Sequence, residues 1–203
     1  EDAVIEQSIQ ELDSILETFS ALLRIAQIEA GARKTAFSCV DLAHIVTSVT
    51  EVYAAVAEDR GLSLQTVIAQ SPNIHGDREL LTQLVANLIE NPIRHCPDGV
   101  AITVSLRHEN GTAILDVADN GPGIPESERE KVFRRFYRLE VSRTTPGSGL
   151  GLSIVKAIAE LHDAKIEATD NHPGLRITVR FPAAAARSIK KEAARSAADP
   201  RQA

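Results

Sequence analysis

Asp116-Val117-Ala118-Asp119-Asn120-Gly121-Pro122-Gly123-Ile124-Pro125 is the stretch on which the reading of this chain turns. A strand-like run ends in the carboxylate of Asp119, and Asn120-Gly121 opens a turn that Pro122 and Gly123 prolong. A carboxylate at the end of a strand can accept a hydrogen bond from a base amine. It favours adenine, which offers an exocyclic amine, over guanine, which offers a carbonyl at the corresponding position. Asp-Asn-Gly alone also fits a plain turn without a ligand, so the neighbouring residues carry the weight.

Glycines gather around this stretch. Of 11 in the chain, Gly121, Gly123, Gly147, Gly149 and Gly151 fall within residues 121–151. Glycine lets a backbone approach a small molecule closely and take positive φ, so two clusters flanking one loop suggest a backbone wrapped around a ligand. The second cluster, Gly147-Ser148-Gly149-Leu150-Gly151-Leu152-Ser153, runs into a helix predicted over 152–162. The first N–H groups and the positive dipole end of such a helix favour phosphate. The cluster follows no strand of a βαβ unit and the chain has no G-x-x-x-x-G-K-[ST] run, which argues against dinucleotide-binding and P-loop folds.

Upstream, a helix opened by Asp77 carries Asn87 and Asn91 four residues apart, hence on one face, with Arg94 and His95 just beyond. Asparagine is a poor helix former. Its amide oxygen is a neutral ligand suited to Mg²⁺, which keeps several waters and bridges nucleotide phosphates, while Arg94 can take phosphate charge directly. On that helix alone, two asparagines on a solvated face would be the plainer reading. Their coincidence with an arginine and both glycine clusters points to a magnesium nucleotide.

The rest of the pattern supplies a scaffold. An extended piece over 37–40 leads to Asp41, an N-cap for a helix over 42–58 that Arg60-Gly61 ends. Strands are predicted over 62–69, at Ile74, over 100–108 and 112–118 joined by Glu109-Asn110-Gly111, and over 165–169 and 175–181 joined through 171–174. The expected fold is α+β, with helices on one face of a mixed, mainly antiparallel sheet spanning residues 35–182.

Before it, residues 1–34 read as a long helix. Ile5, Ile9, Leu12, Leu16, Phe19, Leu23, Ala26 and Ala30 recur at helical spacing, widened by Ile15, Leu22 and Ile25, and Gly31 stops the run. Such a stripe needs partner helices, so a bundle formed by dimerisation is expected, with packing on the chain's own core as the alternative. Residues 183–203 are a polar tail rich in Ala, Arg and Lys.

Composition bounds the function. The 203 residues carry 22 Lys and Arg against 28 Asp and Glu, a formal charge of −6, which disfavours nucleic acid as a partner. No apolar run approaches the roughly 20 residues of a membrane span, so the portion given is expected to be soluble. Two cysteines, Cys39 and Cys96, are too few for a disulfide scaffold and suggest a reducing compartment. The chain starts at Glu1 rather than Met, and is expected to be part of a longer protein with any membrane element upstream.

These residues resemble a known family. Asn87-Leu88-Ile89-Glu90-Asn91 with Arg94-His95 is similar to the asparagine box of bacterial sensor histidine kinases. Asp119-Asn120-Gly121-Pro122-Gly123-Ile124-Pro125 is similar to their first glycine box, Val132-Phe133-Arg134-Arg135-Phe136-Tyr137-Arg138 to their phenylalanine box, and the 147–152 stretch to their second glycine box. The resemblance covers nearly the whole chain, because residues 1–31 look like the second helix of the dimerisation and phosphoacceptor hairpin. It implies a Bergerat-type ATP site. Asp119 would bind the adenine amine, Asn91 would ligate Mg²⁺ with Asn87 beside it, and Arg94 and His95 would line the phosphate side. Gly121 and Gly123 would shape the adenine pocket, and Gly147, Gly149, Leu150 and Gly151 would form the phosphate cradle. A lid over 125–146 would bring Arg135, Tyr137, Arg138 and Arg143 over the nucleotide, pinned by Phe133 and Phe136.

The resemblance further implies transfer of the γ-phosphoryl group of ATP to a histidine, relay to a response regulator, homodimerisation through the first helix, and a cytoplasmic domain of a membrane-anchored parent. No histidine of this chain stands in the family's acceptor setting, His-Glu-Leu/Ile-Arg-Thr-Pro, and His44, His75, His108, His162 and His172 sit in ordinary contexts. Pro92 stands where the family usually has Ala, and Cys96 where threonine is common; Cys96 reads as a small packing residue. Other readings are a non-catalytic ATP-responsive module, an ATPase of the gyrase, MutL or heat-shock-chaperone type, and an anti-sigma serine kinase. The ATPase reading would need a glutamate base on the asparagine-box helix, where Asn87 stands, with Glu90 off that face.

Overall fold

The structure, a computed structural model, describes residues 2–31, 34–139 and 148–182. In chain order the elements are α1 (Asp2–Glu29), β1 (Ser38–Asp41), α2 (Leu42–Asp59), β2 (Ser63–Ile68), β3 (Asn73–Gly76), α3 (Arg78–His95), β4 (Ala101–Glu109), β5 (Thr112–Asp119), α4 (Gly151–Leu161), β6 (Lys165–Asp170) and β7 (Leu175–Pro182), with three short 3₁₀ turns. Five strands form one sheet in the order β2-β4-β5-β7-β6, parallel between β2 and β4 and antiparallel elsewhere. β1 and β3 make a separate antiparallel pair.

Local chemistry sets the helix starts. Asp41 accepts from the N–H groups of Ala43 (2.9 Å) and His44 (3.3 Å), and Asp77 from those of Glu79 (2.9 Å) and Leu80 (3.2 Å), so each carboxylate satisfies two orphan donors. α3 stays helical through Pro92 to His95, closed by Cys96 N–H donating to Pro92 O at 2.8 Å.

Strand parity decides which face is dry. Val104 pairs with Val117 and Leu106 with Leu115, while across the next ladder Val117 pairs with Ile177 and Leu115 with Val179. All six are buried in one core with Leu81, Leu84, Val85, Leu88 and Ile89 of α3 and Ile154, Val155 and Ile158 of α4. On the opposite face Ser105, Asp116 and Thr178 line up. Asp116 is only 1% exposed there and is held by Arg107 and by the Thr178 hydroxyl at 2.5 Å. Asp119 shares the parity of Leu115 and Val117, so it sits on the helix-covered side.

The structure divides α1. Ile25 and Ile28 are each 1% exposed against the domain core, where α1 meets α4, and Arg24 donates to the Gln83 side chain at 3.0 Å. Ile5, Ile9, Leu12, Ile15, Leu16, Phe19 and Leu23 remain 48–63% exposed. The last turns of the helix thus pack on the chain's own core, as the alternative reading has it, and Ile25 belongs to that contact rather than to the outward stripe. Among the described residues no helix is long and apolar enough to cross a membrane. The tail over 183–203 lies outside the described residues.

Candidate functional site

Asp119 closes β5 with its side chain almost wholly buried, at 6% exposure. Its Oδ1 accepts from the N–H of Gly121 (2.9 Å) and the N–H of Leu175 (3.3 Å), which fixes the carboxylate plane. Asn120 turns the other way: its Oδ1 accepts from Ala101 N–H at 2.7 Å and stitches the turn to β4. Cys96 also lies against Asp119. Burial first, then the Asp119 charge and a hydrogen bond to it, push the Cys96 thiol up to about 12, so it stays protonated and donates.

Close packing explains the first glycine cluster. A Cβ on Gly121 would meet the Cys96 sulfur at 2.9 Å and Asp119 Oδ1 at 3.0 Å. Gly123 has φ +67° and a Cβ there would lie 2.8 Å from Gly174 O. Gly174, from the β6–β7 hairpin, comes closest of all, because its Cβ would fall 1.9 Å from Asp119 O. The two segments are pressed backbone to backbone, which only glycine permits.

The asparagine face of α3 meets the start of α4. Asn87 Nδ2 donates to Gly151 O at 3.5 Å, and Asn91, one turn on, is half-buried. Glu90 is turned to other work: it accepts from the Tyr53 hydroxyl and stands 4.0 Å from Arg94. Burial and then Glu90 push Tyr53 up to about 12. Beside them, desolvation first, then the Arg94 and Arg138 guanidiniums, hold the His95 imidazole below its ordinary value. Arg94 and Arg138 thus bring positive charge to a ring that is kept towards its neutral form.

Gly147 and Arg143 lie outside the described residues. Gly149 has φ +69°, and a Cβ there would lie 3.1 Å from Arg138 Cγ and 3.1 Å from Tyr137 O, so Tyr137 and Arg138 do lie beside the second glycine cluster. Gly149 O accepts from Phe136 N–H at 3.1 Å. Leu150 is buried at 1%, and its carbonyl takes the Ser153 hydroxyl at 2.8 Å, anchoring α4 at Gly151. Phe133 is buried, only 8% exposed, but Phe136 is 55% exposed with φ 61°, so a backbone contact rather than its ring holds it. Arg135 is not gathered with the others. It pairs with Glu29 of α1, along a cleft of about 300 Å³ that Phe133 and Lys156 also line.

A buried carboxylate on β5 next to Cys96, and an asparagine face of α3 against the glycine-led start of α4, make up this site. The sequence profile of the histidine kinase-, DNA gyrase B- and HSP90-like ATPase family matches residues 76–185. This chain belongs to that family. As an ATPase-family domain it is 35% identical over 184 residues to the sensor protein SphS of Synechococcus elongatus, covering 85% of this chain and 44% of that protein. It is 31% identical over 163 residues to the sensor-like histidine kinase SenX3 of Mycolicibacterium smegmatis, covering 79% and 42%. The solved mycobacterial sensor histidine kinase MprB superposes with a TM-score of 0.64 at 29% identity, covering 72% of this chain and 97% of that one. The chain spans less than half the length of SphS or SenX3. These relatives place the domain on the histidine kinase branch of the family; on α3, Glu90 is engaged by Tyr53 and Arg94.

The sequence alone presents Cys96 as packing and Asn171 and Gly174 as turn residues, with no sign of their contact with Asp119. The glycine in 171–174 was visible as a turn, but nothing local ties it to a strand end some 50 residues earlier.

Proposed function

We propose that this chain is the nucleotide-binding, phosphoryl-donating part of a sensor histidine kinase, passing the γ-phosphoryl group of ATP to a histidine outside these residues for relay to a response regulator. The observation that supports it most is Asp119: a buried carboxylate at a strand end, with Oδ1 occupied by two backbone N–H groups and so oriented to offer Oδ2 to a purine amine. Asn91 would hold Mg²⁺ through its amide oxygen, with Asn87 beside it; the neutral oxygen donor on a half-buried helix face fits that hard cation. When bound, Mg²⁺ neutralises phosphate charge as the phosphoryl group leaves. Arg94, His95, Tyr137 and Arg138 would flank the phosphates, Gly149 and Gly151 would bring the backbone of the α4 N-terminus to them, and Gly121 and Gly123 would border the base. Gly147 and Arg135 complete the reading, Arg135 only on release from Glu29. The exposed stripe of α1 supports homodimerisation as a helical bundle, and we place the domain in the cytoplasm of a membrane-anchored parent.

Calorimetry with ATP, with and without Mg²⁺, tests this. Asp119→Ala should weaken ATP by about 10- to 100-fold, the worth of one charge-assisted hydrogen bond. Asn91→Ala should remove the Mg²⁺-dependent part of the affinity. Unchanged ATP binding in Asp119→Ala would sink the assignment. The isolated chain should form no phosphohistidine on itself with labelled ATP, whereas a longer chain carrying the acceptor helix should.

A further inference from the structure

We propose that Asn171, in the β6–β7 hairpin, is a positioning residue that sets adenine selectivity by holding Asp119 in place; this rests on the reading of Asp119 given above. Asn171 Nδ2 donates to the main-chain carbonyl of Asp119 at 2.8 Å, and its Oδ1 accepts from Arg176 Nη2 at 2.7 Å. A guanidinium only donates and a carbonyl only accepts, so the two partners fix which way the amide faces. β5 pairs with β7 only as far as Ala118 opposite Arg176, so the Asp119 carbonyl lies just past that ladder and the Asn171 amide takes the place of the next rung.

The same hairpin reaches the carboxylate. Leu175 N–H donates to Asp119 Oδ1 at 3.3 Å, and Gly174 is seated so tightly that a Cβ would fall 1.9 Å from Asp119 O. Asn171 N–H donates to Gly174 O at 3.1 Å and closes the turn. Asp170 anchors it from outside, accepting from His172 N–H at 2.9 Å on Oδ1 and pairing with Arg129 at 2.6 Å on Oδ2. Main chain and side chain of the adenine-reading acid are thus both gripped by residues 171–175. A small shift of that acid weakens a directional hydrogen bond to the base amine while leaving phosphate contacts in place.

The test compares ATP with purine riboside triphosphate, which lacks the exocyclic amine, by calorimetry on the full 203-residue chain. Wild type should prefer ATP, and Asp119→Ala should erase the preference. Asn171→Ala should weaken ATP about tenfold and leave the amine-free nucleotide within twofold, so the ratio moves to that of Asp119→Ala. Asn171→Asp keeps an acceptor for Arg176 but loses the donor to Asp119 O, and should lower the ratio likewise. Thermal melts accompany both variants, and the ratio is taken from whichever is folded. Equal loss of both nucleotides, or an unchanged ratio in a folded variant, overturns the proposal. If Asp119→Ala collapses the ratio and the Asn171 variants do not, this inference alone fails. If Asp119→Ala leaves the ratio unchanged, the reading of Asp119 fails with it.

Discussion

Cys96 and Asp119 meet beneath the Cα of Gly121, where a Cβ would come within 2.9 Å of the sulfur and 3.0 Å of Oδ1. Gly121→Ala must therefore move one of them. The carboxylate is held by two backbone N–H groups, so the methyl is expected to displace the thiol and tilt the acid, lowering ATP affinity by about tenfold or more. Adding Cys96→Ala should recover part of that loss, and calorimetry on the single and double variants reads it directly.

The same contact governs thiol chemistry. Because the Cys96 thiol is pushed up to about 12 and is half-buried, it stays protonated at pH 8, whereas Cys39 is exposed. Iodoacetamide at that pH should label Cys39 first, as peptide mass mapping would show. Preferential labelling of Cys96 would contradict the placement of its sulfur against Asp119.

His95 carries a pH dependence whose sign can be worked out. Desolvation, Arg94 and Arg138 hold it below the ordinary imidazole value of 6.5, so the folded chain binds this proton less well than the unfolded chain. The stability tied to the neutral ring is present above that value and is lost as pH falls below it. A bound triphosphate would favour the cation and raise the pKa, so ATP should bind more tightly as pH drops through this range, with proton uptake. His95→Asn should flatten both effects, measured by calorimetry in buffers of different ionisation enthalpy.

His162 is a core residue, 2% exposed and stacked on Phe37 with ring centroids 4.6 Å apart. Its Nε2 accepts from Asp77 N–H at 3.0 Å and its Nδ1 donates to Ile158 O at 2.8 Å, so the ring ties the start of α3 to the end of α4. His162→Ala is expected to destabilise the domain by about 2–4 kcal/mol, from the cavity and from the Asp77 N–H left without its acceptor, while Ile158 O keeps the main-chain N–H of residue 162. Urea unfolding measures it; a change under about 0.5 kcal/mol would speak against the packing described.

Two halves of α1 should respond differently. Ile28→Ala removes a side chain 1% exposed against the core and should cost about 2–4 kcal/mol without altering assembly. Leu12→Asp falls in the exposed stripe, and should leave the melting curve of residues 35–182 unchanged while dissociating the proposed dimer in sedimentation.

Much of this was legible along the chain because it depends on neighbours. Asp41 and Asp77 cap helices two and three residues away, and Asn110-Gly111 closes a hairpin between adjacent strands. The alternation in β5 puts Asp119 on the same face as Val117, whatever lies opposite. Such features follow from hydrogen bonds and periodicities that span a few residues. Sheet order has no such local code. Only when β7 is inserted between β5 and β6 does Asn171 reach Asp119, 52 residues back, and only the packing of α1 on α4 sends Arg135 to Glu29, 106 residues back, instead of to the glycine clusters. Burial of His162 and the seat of Cys96 beneath Gly121 arise in the same way, from close packing between elements that are remote in the chain.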